Sequence, residues 1–586
     1  MRFFSTPFTR LATFLVVTLV CLCFVAGCER DSQSADVVFT NGTVFTVNPE
    51  QPEAQAVAVS GNKISYVGSA EGVKAWVGKD TRVVDMQGGM LLPGFVDSHI
   101  HLAAGTLIAR GVDLLTDDRK ELFRRIREYA EQNPELEVIT GYGWRFNVWD
   151  DRDPTAADLD AIDSTRPIFL WAVDGHKAWV NSKALEVAGI DKNTEDPAPG
   201  FSYFKRDEDG TPTGYIIEVP AQISTLEKLL DLGVDYTRSG MDEWMPKFSA
   251  AGVTTVLDAG IQGIEHDDAF SLIREYEDEG KLPFRIVATY YWNNGEIDPI
   301  PLLEEYRDKY NSELLQIQKL KINMDGDEVT RTALLVEPYA DDPAASPKPI
   351  IDYEVVTDTA KRADEKGFDV FCHCLGDLAV RRMIDSVEKV IAANPERDRR
   401  NAVSHAWLIH PDDLERLKQF DISADMQLSW AGLDPLTNNI ARSRIGDERM
   451  TRLQPAKPVL DAGARLTLSS DWPVAAYAPT YEPLKTLQGA VTRQGFGETT
   501  RKQPALGGEG AKLSLEQAIR AHTLAGAYLL RMDDKVGSIE VGKLADLVLL
   551  QSDIRDIDPY KIGDTKVVAT MMNGKFTHDE SAKGSP

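Results

Sequence analysis

The sequence is poor in the residues that would staple it or give it positive charge. Five cysteines in 586 residues offer no disulfide framework. Cys21 and Cys23 fall in an apolar leader and Cys28 follows it. Only Cys372 and Cys374 stand in the body, two apart on one strand face, a poor arrangement for a bridge. Stability must come from a hydrophobic core, which a chain of this length can build. Lys and Arg number 64 against 92 Asp and Glu, for a formal net charge of -28. No basic stripe supplies the footprint that nucleic-acid phosphates require, so nucleic acid is excluded as a partner. Histidine is scarce too, nine in all, so the position of each one carries information.

What is present begins with a targeting segment. MRFFSTPFTR carries Arg2 and Arg10 and no acid, and LATFLVVTLVCLCFVAG is continuously apolar. Together they read as a secretory signal. An uncleaved anchor is the rival, since membrane spans begin at about 18 apolar residues. Val25-Ala26-Gly27-Cys28 resembles the lipobox of bacterial lipoproteins. That resemblance makes residues 1–28 a signal peptide with its lipobox, and implies cleavage before Cys28, a lipid on Cys28, and a protein exported to the cell envelope and held to a membrane, on its periplasmic or extracellular face, through the polar linker 29–35.

From residue 36 short strands meet at turn signals: DVVFT and TVFTV at Asn41-Gly42, AVAVS and KISYVG at Gly61-Asn62, VVATMM and KF at Asn573-Gly574. These predict hairpins. Segments 36–92 and 531–578 bracket the chain and predict one small β-sandwich built from both ends, with 579–586 as a tail. Between 93 and 530 apolar strands alternate with helical stretches, the rhythm of a parallel sheet with helical crossovers. A doubly wound sheet and a (β/α)8 TIM barrel both fit. A barrel collects its site from the carboxyl ends of many strands, and the chemistry-bearing residues fall that way.

LLPGFVDSHIHL, residues 91–102, ends a strand with His99 and His101. Alternation predicts that Phe95, Asp97, His99 and His101 share one face, so two imidazoles converge, half of a site for zinc, iron or nickel. His373 in FCHCLGD, His405 in VSHAW and Asp471 in LTLSSDWP also stand at strand ends. By the same parity Cys372 and Cys374 face away from His373, toward the helices, as buried apolar groups. Four histidines and a carboxylate at such ends would form a hydrolytic metal centre with a position open to water. Lys321 in QKLKINMDG cannot coordinate as an ammonium; it serves only as a carbamate or by binding substrate, and Lys319 on the same face competes for that place.

These segments resemble the urease-type metal-dependent amidohydrolases, and more closely the subgroup called amidohydrolase family 3, through PGFVDSHIH, GYGWRF, DGHKAWVNSKAL, GTPTGYIIE, NMDG, HCLGD, SSDWPV and GSIEVGKLADLVLL. The resemblance implies a (β/α)8 barrel with a terminal β-sandwich. It implies that His99, His101, His373, His405 and Asp471 bind one or two divalent metals, zinc foremost, and that Lys321 bridges them when carboxylated. Such a metal brings bound water to a pKa of about 7, and Asp471 would shuttle a proton from that water to the leaving nitrogen. The expected activity is hydrolysis of an amide-type C–N bond of a small molecule. Cyclic amide, ester or deamination chemistry, and a ligand-binding lipoprotein without catalysis, stay open. Residues 113–250 are too long for a crossover loop and predict an inserted lid, with Trp144, His176 and Glu218 reaching the substrate. His266, His410, His522 and His578 read as surface or packing residues. Oligomeric state is left open.

Overall fold

The computed structural model describes residues 34–581 apart from 150–151, 200–201, 434, 476–479 and 497–500, so the leader and Cys28 lie outside the described residues. Eight parallel strands follow one another around a barrel: β1 (Phe95–Ile100), β2 (Val253–Asp258), β3 (Arg285–Trp292), β4 (Leu315–Asn323), β5 (Asp369–Cys374), β6 (Ala402–His405), β7 (Ser423–Met426) and β8 (Leu466–Leu468). β8 meets β1 through the residues just beyond it. Asp471 N–H donates to the His99 carbonyl at 2.8 Å, and His101 N–H to the Trp472 carbonyl at 2.9 Å.

Parity builds the two layers. Leu320, Ile322, Val370, Cys372, Cys374, Val403, Ala424, Met426, Leu466 and Leu468 pack outward in one core with the helices. Phe371, Val287, Leu257 and Ala402 fill the interior, and residues 527–536 close its amino end. Both cysteines are free and buried in the outer layer. The alternation expected of the first strand fails. β1 shifts register twice against β2, and Phe95 joins the outer layer while Val96 faces the interior. Such an extra residue re-aims the side chains that follow it, and His99 is turned onto the ring of Phe371, 5.2 Å between centroids.

The terminal segments form a four-stranded sheet (37–40, 56–60, 63–68, 82–85) and a six-stranded sheet. The second takes 43–45, 53–54 and 90–93 from one end of the chain and 547–550, 567–572 and 575–579 from the other. Val37, Phe39, Val44, Val57, Leu547 and Met571 share the core between the sheets. Two of the three expected hairpins are present, joining 56–60 to 63–68 and 567–572 to 575–579. The one at Asn41-Gly42 is not: Val37–Thr40 and Thr43–Phe45 belong to different sheets. Both must line one core, so the turn carries the chain across the layers, and a Cβ at Gly42 would stand 2.5 Å from the Gly89 carbonyl oxygen.

The insert is a separate six-stranded sheet spanning Val112 to Ile217, with cores of its own. It ends earlier than the sequence suggests. Helix Val234–Ala250 places Met241, Trp244, Met245 and Phe248 in the barrel's outer core.

Candidate metal centre

At the carboxyl end of the barrel His99 Nε2 lies 3.4 Å from His101 Nε2, 3.1 Å from Asp471 Oδ1 and 3.4 Å from Lys321 Nζ. His101 Nε2 is 3.3 Å from the same Oδ1, and His405 Nδ1 is 3.8 Å from Asp471 Oδ2. His99, His405 and Asp471 each offer a ligand atom within 4.8 Å of the others. The His373 ring stands 4.4 Å from that of His405, with Nε2 3.4 Å from the Gly326 carbonyl oxygen. Of the six residues expected at the centre, His99, His405 and Asp471 group closely enough to share one ion, His101 and Lys321 border His99, and His373 borders His405.

The surroundings keep His99, His373 and His405 neutral. Burial first, and then Lys321 and the neighbouring imidazoles, hold His99 well below the usual histidine range; burial, His373 and Lys321 do the same for His405, and burial with Lys321 brings His373 to about 3. Neutral imidazole is the form that ligates. Asp471 is buried, and its Oδ1 makes no hydrogen bond among the described residues despite lying in ion-pair reach of two imidazoles. An acceptor left orphaned among nitrogen lone pairs is an arrangement that a divalent cation satisfies, and a donor set of imidazoles with one carboxylate suits a first-row metal. His405 and Asp471 both hold positive φ, 66° and 56°, the kind of backbone strain that persists where surrounding structure over-determines a residue.

The two candidate lysines separate clearly. Burial brings each to about 8. Lys319 Nζ faces Asp369 at 3.4 Å and the Arg400 carbonyl at 2.8 Å, near the amino end. Lys321 sits one step higher, at His99 and 5.1 Å above the Phe371 ring. Lys321 holds the position by the centre, and Lys319 does not.

Sequence reasoning passed over a buried shell beneath the ligands. Asp425 on β7 accepts from the hydroxyls of Ser98, Thr467 and Ser469 at 2.7, 2.9 and 2.9 Å and from Gln427 Nε2 at 3.0 Å. Burial brings it up to about 6 against those donors. Ser404 Oγ is 2.5 Å from His99 Nδ1, and Gln427 Oε1 is 2.9 Å from His405 Nδ1. Their signal lay in ISADMQL, where a carboxylate interrupts a strand buried on both faces. In the mouth, Tyr291 on β3 pairs in register with Lys321, and Asn323 with His373. Asn323 Nδ2 donates to the Tyr291 hydroxyl at 3.1 Å, and its Oδ1 has no partner among the described residues.

The insert roofs this mouth. Ala475 N–H, shortly after Asp471, donates to the Val173 carbonyl at 3.1 Å. Gly175 holds φ +71° with its missing Cβ 2.6 Å from Val474 Cγ1. Just past that contact His176 Nδ1 meets Glu218 Oε2 at 2.8 Å, the side chains 37% and 8% exposed. They face each other because strands 177–180 and 212–217 pair antiparallel, Lys177 opposite Ile217. Burial would lower His176, but Glu218, Asp174 and Asp327 raise it to about 10. Trp144 does not reach the substrate as expected. It is fully buried in the insert's core against Phe146, Trp179 and Tyr215, its Nε1–H donating to the Leu170 carbonyl at 3.1 Å. The remaining histidines pack or cap: His522 is buried against Phe95, His266 lies on Tyr290 and Tyr306, and His410 caps a short helix.

Comparison with known proteins agrees with this geometry. The profile of the amidohydrolase family matches residues 82–578. The chain is 31% identical to Protein LONG AFTER FAR-RED 3 of Arabidopsis thaliana, over 92% of this chain and 91% of that one. It is 26% identical to N-substituted formamide deformylase of Arthrobacter pascens, over 94% and 99%. An uncharacterized metal-dependent hydrolase from Pyrococcus furiosus superposes with a TM-score of 0.65 at 25% identity, over 90% of this chain and all of its own.

Proposed function

The chain belongs to the amidohydrolase family, and from that membership we propose that this metal-dependent amidohydrolase cleaves the C–N bond of a small N-acyl or N-formyl amide. The observation that carries the proposal is the orphaned, buried Oδ1 of Asp471 between His99 and His101. His99, His101, His405 and Asp471 would hold a divalent metal, zinc foremost, with His373 and Lys321 available for a second ion; Lys321 would take part as a carbamate. When bound, the metal supplies an acidified water and a polarised carbonyl.

The chain's own groups do the rest. Asp471 takes a proton from the attacking water and returns it to the leaving nitrogen, so that water and amide give acid and amine. An amide anion is a very poor leaving group, which makes this proton the decisive one. Asn323 Oδ1 accepts the substrate N–H and the Tyr291 hydroxyl donates to its carbonyl oxygen. His176 and Glu218 close the mouth over the bound molecule. The deformylase relative favours a short acyl group. In the same proposal the Val25-Ala26-Gly27-Cys28 segment exports the protein and anchors it by lipid, so that Cys28→Ser releases it from the membrane fraction.

The test is turnover of a panel of N-formyl and N-acyl amines by the zinc-loaded protein and by Asp471→Asn. Amide cleavage lost in the variant supports the proposal. Turnover of esters or amino-heterocycles with no amide cleaved contradicts it.

A further inference from the structure

We propose that Asp425 is a positioning residue that sets the tautomers of His99 and His405 together, and so sets the affinity of the centre for its metal. This rests on the reading of the site as a metal centre. Asp425 is fully buried, and because its neighbours Ala424 and Met426 belong to the outer core it points to the interior of the barrel. An ionised carboxylate only accepts hydrogen bonds, and that single fact orients its neighbours.

Ser98 and Thr467 donate to Oδ1. Ser469 and Gln427 Nε2 donate to Oδ2, and Ser404 Oγ reaches it at 3.3 Å. With its hydroxyl proton turned toward Asp425, Ser404 can only accept from His99 Nδ1, which also lies 3.5 Å from Oδ2. The His99 proton is then on Nδ1, and the lone pair is on Nε2, the nitrogen that meets His101, Asp471 and Lys321.

The second arm runs through Gln427. Its Nε2 donates both to Asp425 and to Ser469 Oγ at 2.8 Å. Flipping that amide would aim its oxygen at a carboxylate, so Oε1 is fixed toward His405 Nδ1. His405 is thereby held with its proton on Nδ1, the nitrogen 3.8 Å from Asp471 Oδ2, which leaves Nε2 as its ligating nitrogen. One anion on β7 thus orients ligands from β1 and β6, strands that do not pair with each other. Partners of this kind raise ligand basicity and fix ring orientation, and losing one costs about 10- to 100-fold in metal affinity.

The experiment is zinc affinity of the detergent-solubilised full chain, measured by competition with a chelating dye, alongside 15N shifts of labelled histidine in the metal-free protein. Asparagine at 425 would keep the volume but offer one acceptor and two donors, which inverts part of the network. Asp425→Asn is expected to weaken zinc binding 10- to 100-fold and to move two histidines out of the Nδ1–H tautomer. Ser404→Ala and Gln427→Met are each expected to weaken it less, and to add nothing in the Asp425→Asn background. If Asp425→Asn does not fold, the two single variants decide: zinc affinity unchanged in both overturns the proposal. So does a folded Asp425→Asn with native zinc affinity and only a lower melting temperature, the result of a merely structural role. A native chain that binds no zinc overturns the metal-centre reading itself, and this proposal with it.

Discussion

Two buried lysines on one strand, two residues apart, mark the difference between the ends of this barrel. At the amino end Lys319 faces Asp369, which also meets Arg397 at 3.0 Å and Arg531 at 2.9 Å. The charges there answer one another. At the carboxyl end Lys321 makes no ion pair among the described residues and lies against an imidazole nitrogen, near a carboxylate oxygen without a hydrogen bond. Burying charge is costly unless it is paired. A fold that pairs charge at one end and leaves it unpaired at the other has spent stability where a ligand supplies the missing partner.

One substitution at each end is expected to have opposite effects. Asp471→Asn is expected to lower kcat for amide hydrolysis by about 1000-fold and to change unfolding free energy by less than about 1 kcal/mol; steady-state kinetics and denaturant titration read both. Asp369→Asn reverses the pattern. It strips the carboxylate from between Lys319, Arg397 and Arg531 and is expected to cost about 3 to 5 kcal/mol, while zinc affinity of the folded protein stays native. If Asp369→Asn is neutral, the amino-end cluster is not structural and the contrast fails.

Lys321→Met sharpens the contrast. Removing an unpaired buried ammonium is expected to raise the stability of the metal-free protein by about 1 kcal/mol and to reduce bound metal or turnover, as melting and metal titration would show. The smallest effect belongs to the roof. Folded His176 keeps its proton to about pH 10, against an ordinary value of 6.5. The contribution of its pair with Glu218 is complete below pH 6.5 and fades as pH rises through 10. The melting difference between native protein and His176→Asn should therefore be larger at pH 6 than at pH 10, and a difference that grows with pH would show that the pair does not hold the insert.

Much of this was legible in the sequence because period and position carry physical meaning. Scarce histidines at strand ends pointed to their convergence, and alternation placed Cys372 and Cys374 in the outer layer. Where alternation failed, an extra residue in β1 between Asp97 and Ile100 had set His99 on the opposite face from Phe95, which no single strand reveals. Trp144 illustrates a second limit. A tryptophan reads alike whether it lines a mouth or fills a core, and only the packing of Phe146, Trp179 and Tyr215 around it decides. Asp425 illustrates a third: its role lies in who donates to it, and apart from Gln427 those donors come from three other strand segments. Lys319 and Lys321 share a face and a residue type, and only height along the barrel separates them.

The unpaired carboxyl-end cluster is expected to hold metal. Its most direct test is divalent metal per chain, by elemental analysis of the native protein and of His99→Ala after identical zinc supplementation and desalting. About one or two zinc ions per native chain are expected, with a clear loss in the variant. A native protein without metal, or a His99→Ala variant that retains the full complement, would contradict it.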